Sequence, residues 1–262
     1  MNKKNQNRTE IYSGIVDERS GNIFCKSNIG ARNLENHFDN QDAFDARIND
    51  NYIVVAVADG LGSCVHSQIG SQIAVNILCD WVENEMIEFK ELAPDVSRIL
   101  CNRIVDRWRN TIGDYYATYD TTLLFIVYIN NSLLIGSLGD GMVLLDIGGE
   151  YKNLSWQDKV FGNQTASIGS INAKEEFKIE LIRNIDMNDM ITAVIATDGI
   201  SDDIDEQNQV KLIDYVKNLT IDRGFEETSK EINQWVDNWK SLYNSDDKTI
   251  AIISIKGAKD EL

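Results

Sequence analysis

The amino-acid sequence predicts an α+β protein, a sandwich of two antiparallel β-sheets flanked by paired α-helices. The first observation is a series of short apolar runs separated by turn residues, which is typical of strands. The second is Asn130-Asn131 between two such runs, a signal for a tight antiparallel hairpin. The third is a pair of consecutive segments with helical apolar spacing, which predicts two neighbouring helices packed on one sheet face.

The central strand is predicted at 52–59, where a continuous apolar run ends in Ala58-Asp59-Gly60. Residues 11–24 predict one or two strands, and residues 27–42 predict a loop. We expect the strands between 121 and 147 to form one antiparallel meander. The other predicted elements are helices at 67–86, after Pro94, at 205–219 and at 225–243, and strands at 121–129, 132–138, 142–147, 176–182 and 249–256.

The two central helices carry distinct apolar faces. Ser67 is the predicted N-cap of the first helix, whose apolar face runs from Ile69 to Trp81. Pro94 suits the first turn of the second helix, whose apolar face ends at Trp108. Large aromatic residues on such faces are usually core residues, so we expect both tryptophans to be buried.

Composition limits the classes of partner. With 25 Lys and Arg against 42 Asp and Glu, the formal net charge of −17 argues against binding to a nucleic-acid backbone. The apolar content of 43% allows a sizeable core, and no apolar run is long enough for a membrane helix. The four cysteines form no CxxC pair, so we expect reduced thiols and a cytoplasmic location. Residues 1–10 are polar and are expected to be a flexible N-terminus before a single domain at 11–262.

Aspartates mark the ends of several predicted strands. Asp59, Asp140 and Asp198 each follow an apolar run and precede a glycine, whereas Asp246 stands just before the last strand. Together with Asp42, they predict a shared acidic site. Carboxylates without histidine or cysteine favour Mg²⁺ or Mn²⁺ over Zn²⁺, and two such ions about 3.5–4 Å apart activate a bridging water for attack on a phosphate.

These residues belong to motifs that occur together in one known family. In order and spacing, the set resembles the type 2C metal-dependent serine/threonine protein phosphatases (PPM family), and within them the bacterial branch. The resemblance covers about residues 25–256. The motifs are NQDAF (40–44), VADGLGS (57–63), DTTLL (120–124), GSLGDGMVLL (136–145), ATDGISD (196–202) and DDKTIAII (246–253).

The resemblance implies a role for each aspartate. Asp59 would bridge two Mn²⁺ or Mg²⁺ ions, and the Gly60 carbonyl would bind the second ion. Asp198 and Asp246 would complete the shell of the first ion, so that Asp59, Asp198 and Asp246 form the catalytic set. Asp42 would hold metal-bound water.

The resemblance also implies features around the metals. Asp140, with Asp198, would bind a third, weaker ion. Residues 152–173 would form a mobile flap near the substrate. The implied fold is the two-sheet sandwich with the metals at one edge, which agrees with the pattern of predicted elements.

The sequence departs from the family where the substrate phosphate and the leaving group are handled. The family usually has an arginine about five residues before the first aspartate, a position held here by His37. Arg32 is the nearest arginine, so either Arg32 or His37 is a candidate phosphate ligand, or neither is. Leu61 stands where eukaryotic relatives have a proposed general-acid histidine, and Gln41 replaces a more usual acid. His66 is expected to open the following helix at the surface.

The resulting hypothesis is a Mn²⁺- or Mg²⁺-dependent phosphatase that hydrolyses phosphoserine and phosphothreonine in proteins by in-line attack of a metal-bridging water. Its expected partner is a phosphorylated protein, opposing a serine/threonine kinase, with a monomer as the default state. The acidic surface favours substrates with basic flanks. Two alternatives stay open, a non-catalytic binding or sensor module with the same fold and a phosphatase for a small-molecule phosphate.

Overall fold

The computed structural model describes residues 9–16, 21–86, 93–155, 165–239 and 244–256. The strands are β1 (Thr9–Val16), β2 (Gly21–Asn28), β3 (Asp42–Ile48), β4 (Tyr52–Asp59), β5 (Leu123–Ile129), β6 (Ser132–Leu138), β7 (Met142–Ile147), β8 (Glu150–Asn153), β9 (Lys178–Ile182), β10 (Ile191–Ala196) and β11 (Lys248–Ile255). The helices are α1 (Ala31–Glu35), α2 (Ser67–Asn84), α3 (Pro94–Ile112), α4 (Ala173–Glu176), α5 (Asp198–Ser201), α6 (Glu206–Arg223) and α7 (Phe225–Asp237).

The strands form two antiparallel sheets, as predicted. One sheet has six strands in the order β1-β2-β11-β10-β7-β8, and the other has five in the order β3-β4-β5-β6-β9. Apolar side chains that alternate along each strand meet between the sheets and form a hydrophobic core. Members of this core from both sheets include Ile23, Val55, Val57, Ile126, Ile195 and Ile253.

Helices cover the outer face of each sheet. α2 and α3 pack on the five-stranded sheet, and α6 and α7 pack on the six-stranded sheet. Trp81 of α2 and Trp108 of α3 are completely buried, which confirms the prediction that both are core residues. The indole Nε1 of Trp108 donates to the Gly70 carbonyl at 2.9 Å, so its polar atom is satisfied inside the core.

The start and the face of α2 differ from the prediction. His66, not Ser67, holds the N-cap position, and His66 is exposed as expected. Ser67 is buried in the first turn, where its Oγ accepts a hydrogen bond from Gln41 Nε2 at 2.7 Å. Ile69 is 44% exposed because the helix turns its small residues inward. At Gly70 a Cβ would lie 1.6 Å from the Tyr119 carbonyl oxygen, so only glycine permits this close contact.

The prediction of a hairpin at Asn130-Asn131 is confirmed, but the prediction that the strands between 121 and 147 form one meander is wrong. Asn130 and Asn131 have φ angles of 50° and 52°, the left-handed pair expected of a two-residue turn between β5 and β6. β7 does not pair with β6; it pairs with β10 in the other sheet. Gly139 and Gly141, with φ angles of 103° and 128°, turn the chain from one sheet to the other.

Smaller differences concern element bounds. The segment predicted as a loop at 27–42 contains α1, and β2 extends to Asn28. α6 continues to Arg223, and Asp205 caps it by accepting from the Asn208 amide. α7 ends at Asp237, and residues 240–243 of the predicted helix lie outside the described residues.

The predicted terminal and flap segments are described only in part. Residues 1–8 of the predicted flexible N-terminus and 156–164 of the predicted flap lie outside the described residues, whereas 9–10 belong to β1 and 152–153 to β8. Within the described ranges, no helix has the combination of length and apolarity that a bilayer crossing needs.

Candidate active site

The aspartates singled out in the sequence meet at one edge of the sandwich. Asp42 at the start of β3 lies directly opposite Asp59 at the end of β4. Asp198 opens α5 just after β10, and Asp246 precedes β11, the neighbour of β10. Asp140 lies in the crossing between β6 and β7. Because antiparallel neighbours alternate in direction, these starts and ends share an edge.

Asp59 is delivered by a firmly bonded backbone. Its amide donates to Thr122 Oγ1 at 2.9 Å, and its carbonyl accepts from the Thr122 amide and from Thr121 Oγ1, both at 2.8 Å. At Gly60 a Cβ would lie 2.7 Å from the Ser67 Cβ, so the close approach of the chain to the start of α2 requires glycine. The strand therefore presents the Asp59 carboxylate at a defined place.

Asp42 lies under Asp59 and is held from the other sheet. It is 7% exposed, and its Oδ2 accepts a hydrogen bond from Thr197 Oγ1 at 2.8 Å. Thr197 Oγ1 in turn accepts from the Thr249 amide at 3.1 Å. This chain of hydrogen bonds connects the two sheets below the acidic edge.

The carboxyl groups at this edge repel one another. Burial, and then the charge of Asp247, raise the pKa of Asp42 to about 7. Burial, and then Asp140 and Asp246, raise the pKa of Asp198 to about 7. Burial, and then Asp42 and Asp198, raise the pKa of Asp59 well above its usual value. In each case burial is the larger cause and a neighbouring carboxylate the next, so the ionised forms of these groups lack a compensating positive charge.

Arg32 is the predicted phosphate ligand that reaches this edge. Its Nη2 lies 2.5 Å from Asp246 Oδ1, and the same nitrogen would be 3.1 Å from a Cβ at Gly62. The guanidinium therefore lies beside both the Asp246 carboxylate and the loop that follows Asp59. His37 lies exposed two residues beyond the end of α1, with a left-handed φ of 59°.

Two further aspartates, which the motif analysis did not single out, organise the site. Asp120 accepts hydrogen bonds from Ser167 Oγ and from the Gly169 amide, both at 2.7 Å, and so anchors the C-terminal part of the predicted flap. In the same region Thr165 Oγ1 donates to Asp140 Oδ2 at 3.1 Å. Asp247 is buried next to Asp246 and accepts hydrogen bonds from the loop that carries Arg32. In the sequence, the only signal for Asp120 is its place in the motif DTTLL, and the only signal for Asp247 is its place next to Asp246.

The donor set fits divalent cations in its chemistry. Carboxylate oxygens and glycine carbonyls are the hard ligands that Mg²⁺ and Mn²⁺ prefer, and the raised pKa values reflect negative charge that such ions would neutralise. Among the described residues, no three His, Cys, Asp or Glu side chains already lie close enough together to hold an ion. In the present geometry Asp246 is ion-paired with Arg32 instead.

The fold and the acidic edge define the class as that of the type 2C phosphatases. The family model described as Protein phosphatase 2C matches residues 29–238, most of the chain. The chain therefore belongs to the protein phosphatase 2C family, as the sequence motifs predicted. Membership supports a protein phosphatase. A sequence search of curated proteins gives no significant match.

Solved structures share the fold along nearly their whole length. RsbX in complex with magnesium is 16% identical, with a TM-score of 0.59, and the match covers 94% of this chain and 100% of that one. A bacterial serine phosphatase is 17% identical, with a TM-score of 0.64 and coverages of 90% and 98%. The serine/threonine phosphatase Stp1 from Staphylococcus aureus is 16% identical, with a TM-score of 0.61 and coverages of 90% and 95%. At these identities the likeness is one of fold.

Proposed function

We propose that this protein is a Mn²⁺- or Mg²⁺-dependent phosphatase that removes phosphate from phosphoserine and phosphothreonine in proteins. The observation that carries the proposal is the edge where buried, mutually repelling aspartates lie beside an arginine. Family membership supports the reaction class. The magnesium complex of RsbX, a protein of the same fold, supports a divalent cation.

The residues that would hold the cations are those at the strand ends. Asp59 and the Gly60 carbonyl, with Asp198 and Asp246, would bind two ions, and Asp140 would contribute to a third. When bound, such ions supply a water of lowered pKa as nucleophile and neutralise the phosphate in an in-line displacement. Asp42, held by Thr197, is placed to orient solvent below Asp59.

Arg32 is the better candidate for the substrate phosphate. A guanidinium donates two parallel hydrogen bonds to a phosphate, and Arg32 already lies at the acidic edge. In this assignment the guanidinium exchanges Asp246 for the substrate phosphate, which leaves the carboxylate to the cation. His37 stays the alternative ligand. Leu61 carries no acidic proton, so the proton for the leaving serine or threonine oxygen would come from another group or from solvent.

The substrate and the surroundings of the site are also part of the proposal. The substrate would be a phosphorylated protein, in opposition to a serine/threonine kinase, in the cytoplasm and with a monomeric enzyme. Residues 11–262 would act as one catalytic domain, with 152–173 as a flap over the substrate. The hydrogen bonds from Ser167 and Gly169 to Asp120 would form the fixed end of that flap.

The proposal is tested by hydrolysis of a phosphothreonine peptide with and without millimolar Mn²⁺. We expect turnover that requires the ion, and a loss of about 10³-fold in kcat for Asp59→Asn, because electrostatic stabilisation of the transferred phosphate is lost. Asp146→Asn is the matched control, since Asp146 is a buried carboxylate on β7 paired with Lys217.

Two outcomes would contradict the proposal. One is an absence of turnover from folded protein in the presence of Mn²⁺, which would favour a non-catalytic module. The other is a kcat/KM for p-nitrophenyl phosphate well above that for the peptide, which would favour a small-molecule substrate.

A further inference from the structure

The loop between β2 and β3, residues 29–41, contacts the buried carboxylate of Asp247 at three points. Asp247 is 3% exposed. Its Oδ1 accepts from the Gly30 amide at 2.6 Å, and its Oδ2 accepts from the Gln41 amide at 2.6 Å and from Asn33 Nδ2 at 2.7 Å. These donors come from the start, the middle and the end of the loop, so one side chain closes it at three points.

A carboxylate is well suited to this set of contacts. All three partners are N–H donors, and a carboxylate offers two acceptor oxygens and no proton. Asparagine in the same place offers one acceptor oxygen, and its amide would face a donor. Hydrogen bonds to a charged acceptor are also about twice as strong as neutral ones. The contacts therefore depend on the two acceptor oxygens of Asp247 and are strongest when that carboxyl is charged.

The loop lies directly on the segment that contains Asp247. The Arg32 amide donates to the Ser245 carbonyl at 3.1 Å. At Gly30 a Cβ would be 2.3 Å from the carbonyl oxygens of Ser245 and Asp246, so glycine is required for the contact. Helix α1, which carries Arg32, has five residues. A helix this short has little stability of its own, so its position depends on these contacts.

The Arg32 side chain itself is only loosely held. It is 47% exposed, and its ion pair is with Asp246, which is 35% exposed. An exposed ion pair adds little to stability, so the position of the loop backbone decides whether the guanidinium can reach the acidic edge.

We propose that Asp247 is a positioning residue that places Arg32 at the acidic edge for the substrate phosphate, through its three hydrogen bonds to Gly30, Asn33 and Gln41. The proposal rests on the proposed phosphatase function. Although Asp247 is next to Asp246, a candidate metal ligand, its role here is in binding of the substrate phosphate and not in binding of the metal.

Steady-state kinetics on a phosphothreonine peptide at saturating Mn²⁺ test the assignment. For Asp247→Asn we expect KM to rise about tenfold, the loss of one charge-assisted hydrogen bond, with kcat changed less than about threefold. The Mn²⁺ concentration for half-maximal activity should stay the same. Asp146→Asn, which alters a buried carboxylate away from the loop, should leave KM unchanged.

A double-mutant cycle with Arg32→Ala separates positioning from general damage. If Asp247 acts through Arg32, Asp247→Asn raises KM in the wild type and has no further effect on KM in Arg32→Ala. Additive effects would overturn the proposal. So would a shift of the Mn²⁺ midpoint without a change in KM, because Asp247 would then act through Asp246.

Hydrogen exchange of residues 29–41 in the full chain gives a readout that needs no activity. Faster exchange in Asp247→Asn, with the helices α6 and α7 unchanged, supports the clamp, and unchanged exchange in the loop overturns it. Asn33→Ala removes one of the three donors and serves as the milder variant if Asp247→Asn does not fold. If the wild-type protein shows no turnover while the exchange result holds, the proposed function fails and the clamp stands as a structural contact.

Discussion

Two sets of buried carboxylates in this protein are treated in opposite ways. On β7, Asp146 has a side chain only 2% exposed, and Lys217 of α6 reaches it at 2.8 Å. The Gly149 amide adds a second contact at 3.2 Å. At the acidic edge, Asp42 and Asp59 are also buried, and their pKa values are raised by burial and by neighbouring aspartates. The fold thus neutralises a carboxylate where it is structural and leaves the charge uncompensated where a ligand is expected.

A second structural pair follows the same rule. Lys26 on β2 has a side chain 1% exposed and is ion-paired with Asp237 of α7. Its Nζ also donates to the Asn233 Oδ1 at 2.8 Å. The hydrogen bond from Lys26 lowers the pKa of Asp237, the opposite direction from the edge aspartates. Buried charge on the helix-covered face is paired, and buried charge at the edge is clustered.

The largest effect that tests this contrast is on stability. Lys217→Met leaves Asp146 buried without its cation, and we expect a loss of about 3 kcal/mol in the free energy of unfolding. Urea unfolding at pH 7 measures it, and kcat per folded molecule should not change. The metal-free Asp59→Asn protein should shift the other way, because the substitution removes a repelling charge. If both substitutions changed the free energy of unfolding in the same direction, the contrast between the paired and the clustered carboxylates would be contradicted.

The pH dependence of stability gives the next effect. In the folded protein the pKa values of Asp42 and Asp198 are about 7, above the value of about 3.9 in an unfolded chain. The folded state therefore binds more protons than the unfolded state between these limits, and stability is lost as pH rises from about 4 to about 7.

Thermal unfolding without metal should show this loss as a Tm roughly 5 °C higher near pH 5 than near pH 8. The raised pKa of Lys217 and the lowered pKa of Asp237 keep these two groups charged over that range, so neither of them adds a slope. Saturating Mn²⁺ should remove most of the slope by favouring the ionised carboxylates. A flat profile without metal would show that the edge carboxylates are not coupled as described.

The smallest effect comes from the hydrogen bond below the edge. Thr197→Val removes the donor to Asp42 and should raise the pKa of that carboxyl further, since the bond favours its ionised form. We expect kcat at pH 7 to fall about threefold to tenfold, with the acid limb of the pH–rate profile moved to higher pH.

Thr192→Val is the matched control for that substitution. Both threonines are buried on or beside β10, but the Thr192 hydroxyl is among the buried polar atoms without a hydrogen-bond partner in the described structure. Its replacement should leave kcat unchanged and stability unchanged or slightly raised. If Thr192→Val also lost activity, the effect of Thr197→Val would be explained by altered packing and not by the lost hydrogen bond to Asp42.

Much of the fold could be predicted because its signals are local. The Asn130-Asn131 hairpin, the buried run that ends at Asp59, and the two core tryptophans each follow from a short stretch of sequence. The crossing of β7 to the other sheet could not be predicted in this way. It depends on the pairing of β7 with β10, which is distant in sequence, after a turn that contains two glycines. The face that α2 turns inward depends on the contact between Gly70 and the Tyr119 carbonyl. The spacing of apolar residues in α2 gives no sign of this contact.

The site divides in the same way. The aspartates at strand ends are visible in the sequence because each interrupts an apolar run. The choice between Arg32 and His37 depends on the course of residues 29–41, and that course is set by Asp247, more than 200 positions away in the chain. Asp246 and Asp247 look equivalent in sequence, yet one is ion-paired with Arg32 and the other is buried among backbone amides.

The strand order also has a consequence for how the molecule forms. β11, the last strand, lies between β2 and β10 inside the six-stranded sheet, with Lys248 opposite Asn28. Contacts between residues so distant in sequence close large loops, and they are slow to form. Asp246 and Asp247 arrive with this strand. We therefore expect the acidic edge to be completed late in folding, after the five-stranded sheet and its helices, whose paired segments are closer together in the chain.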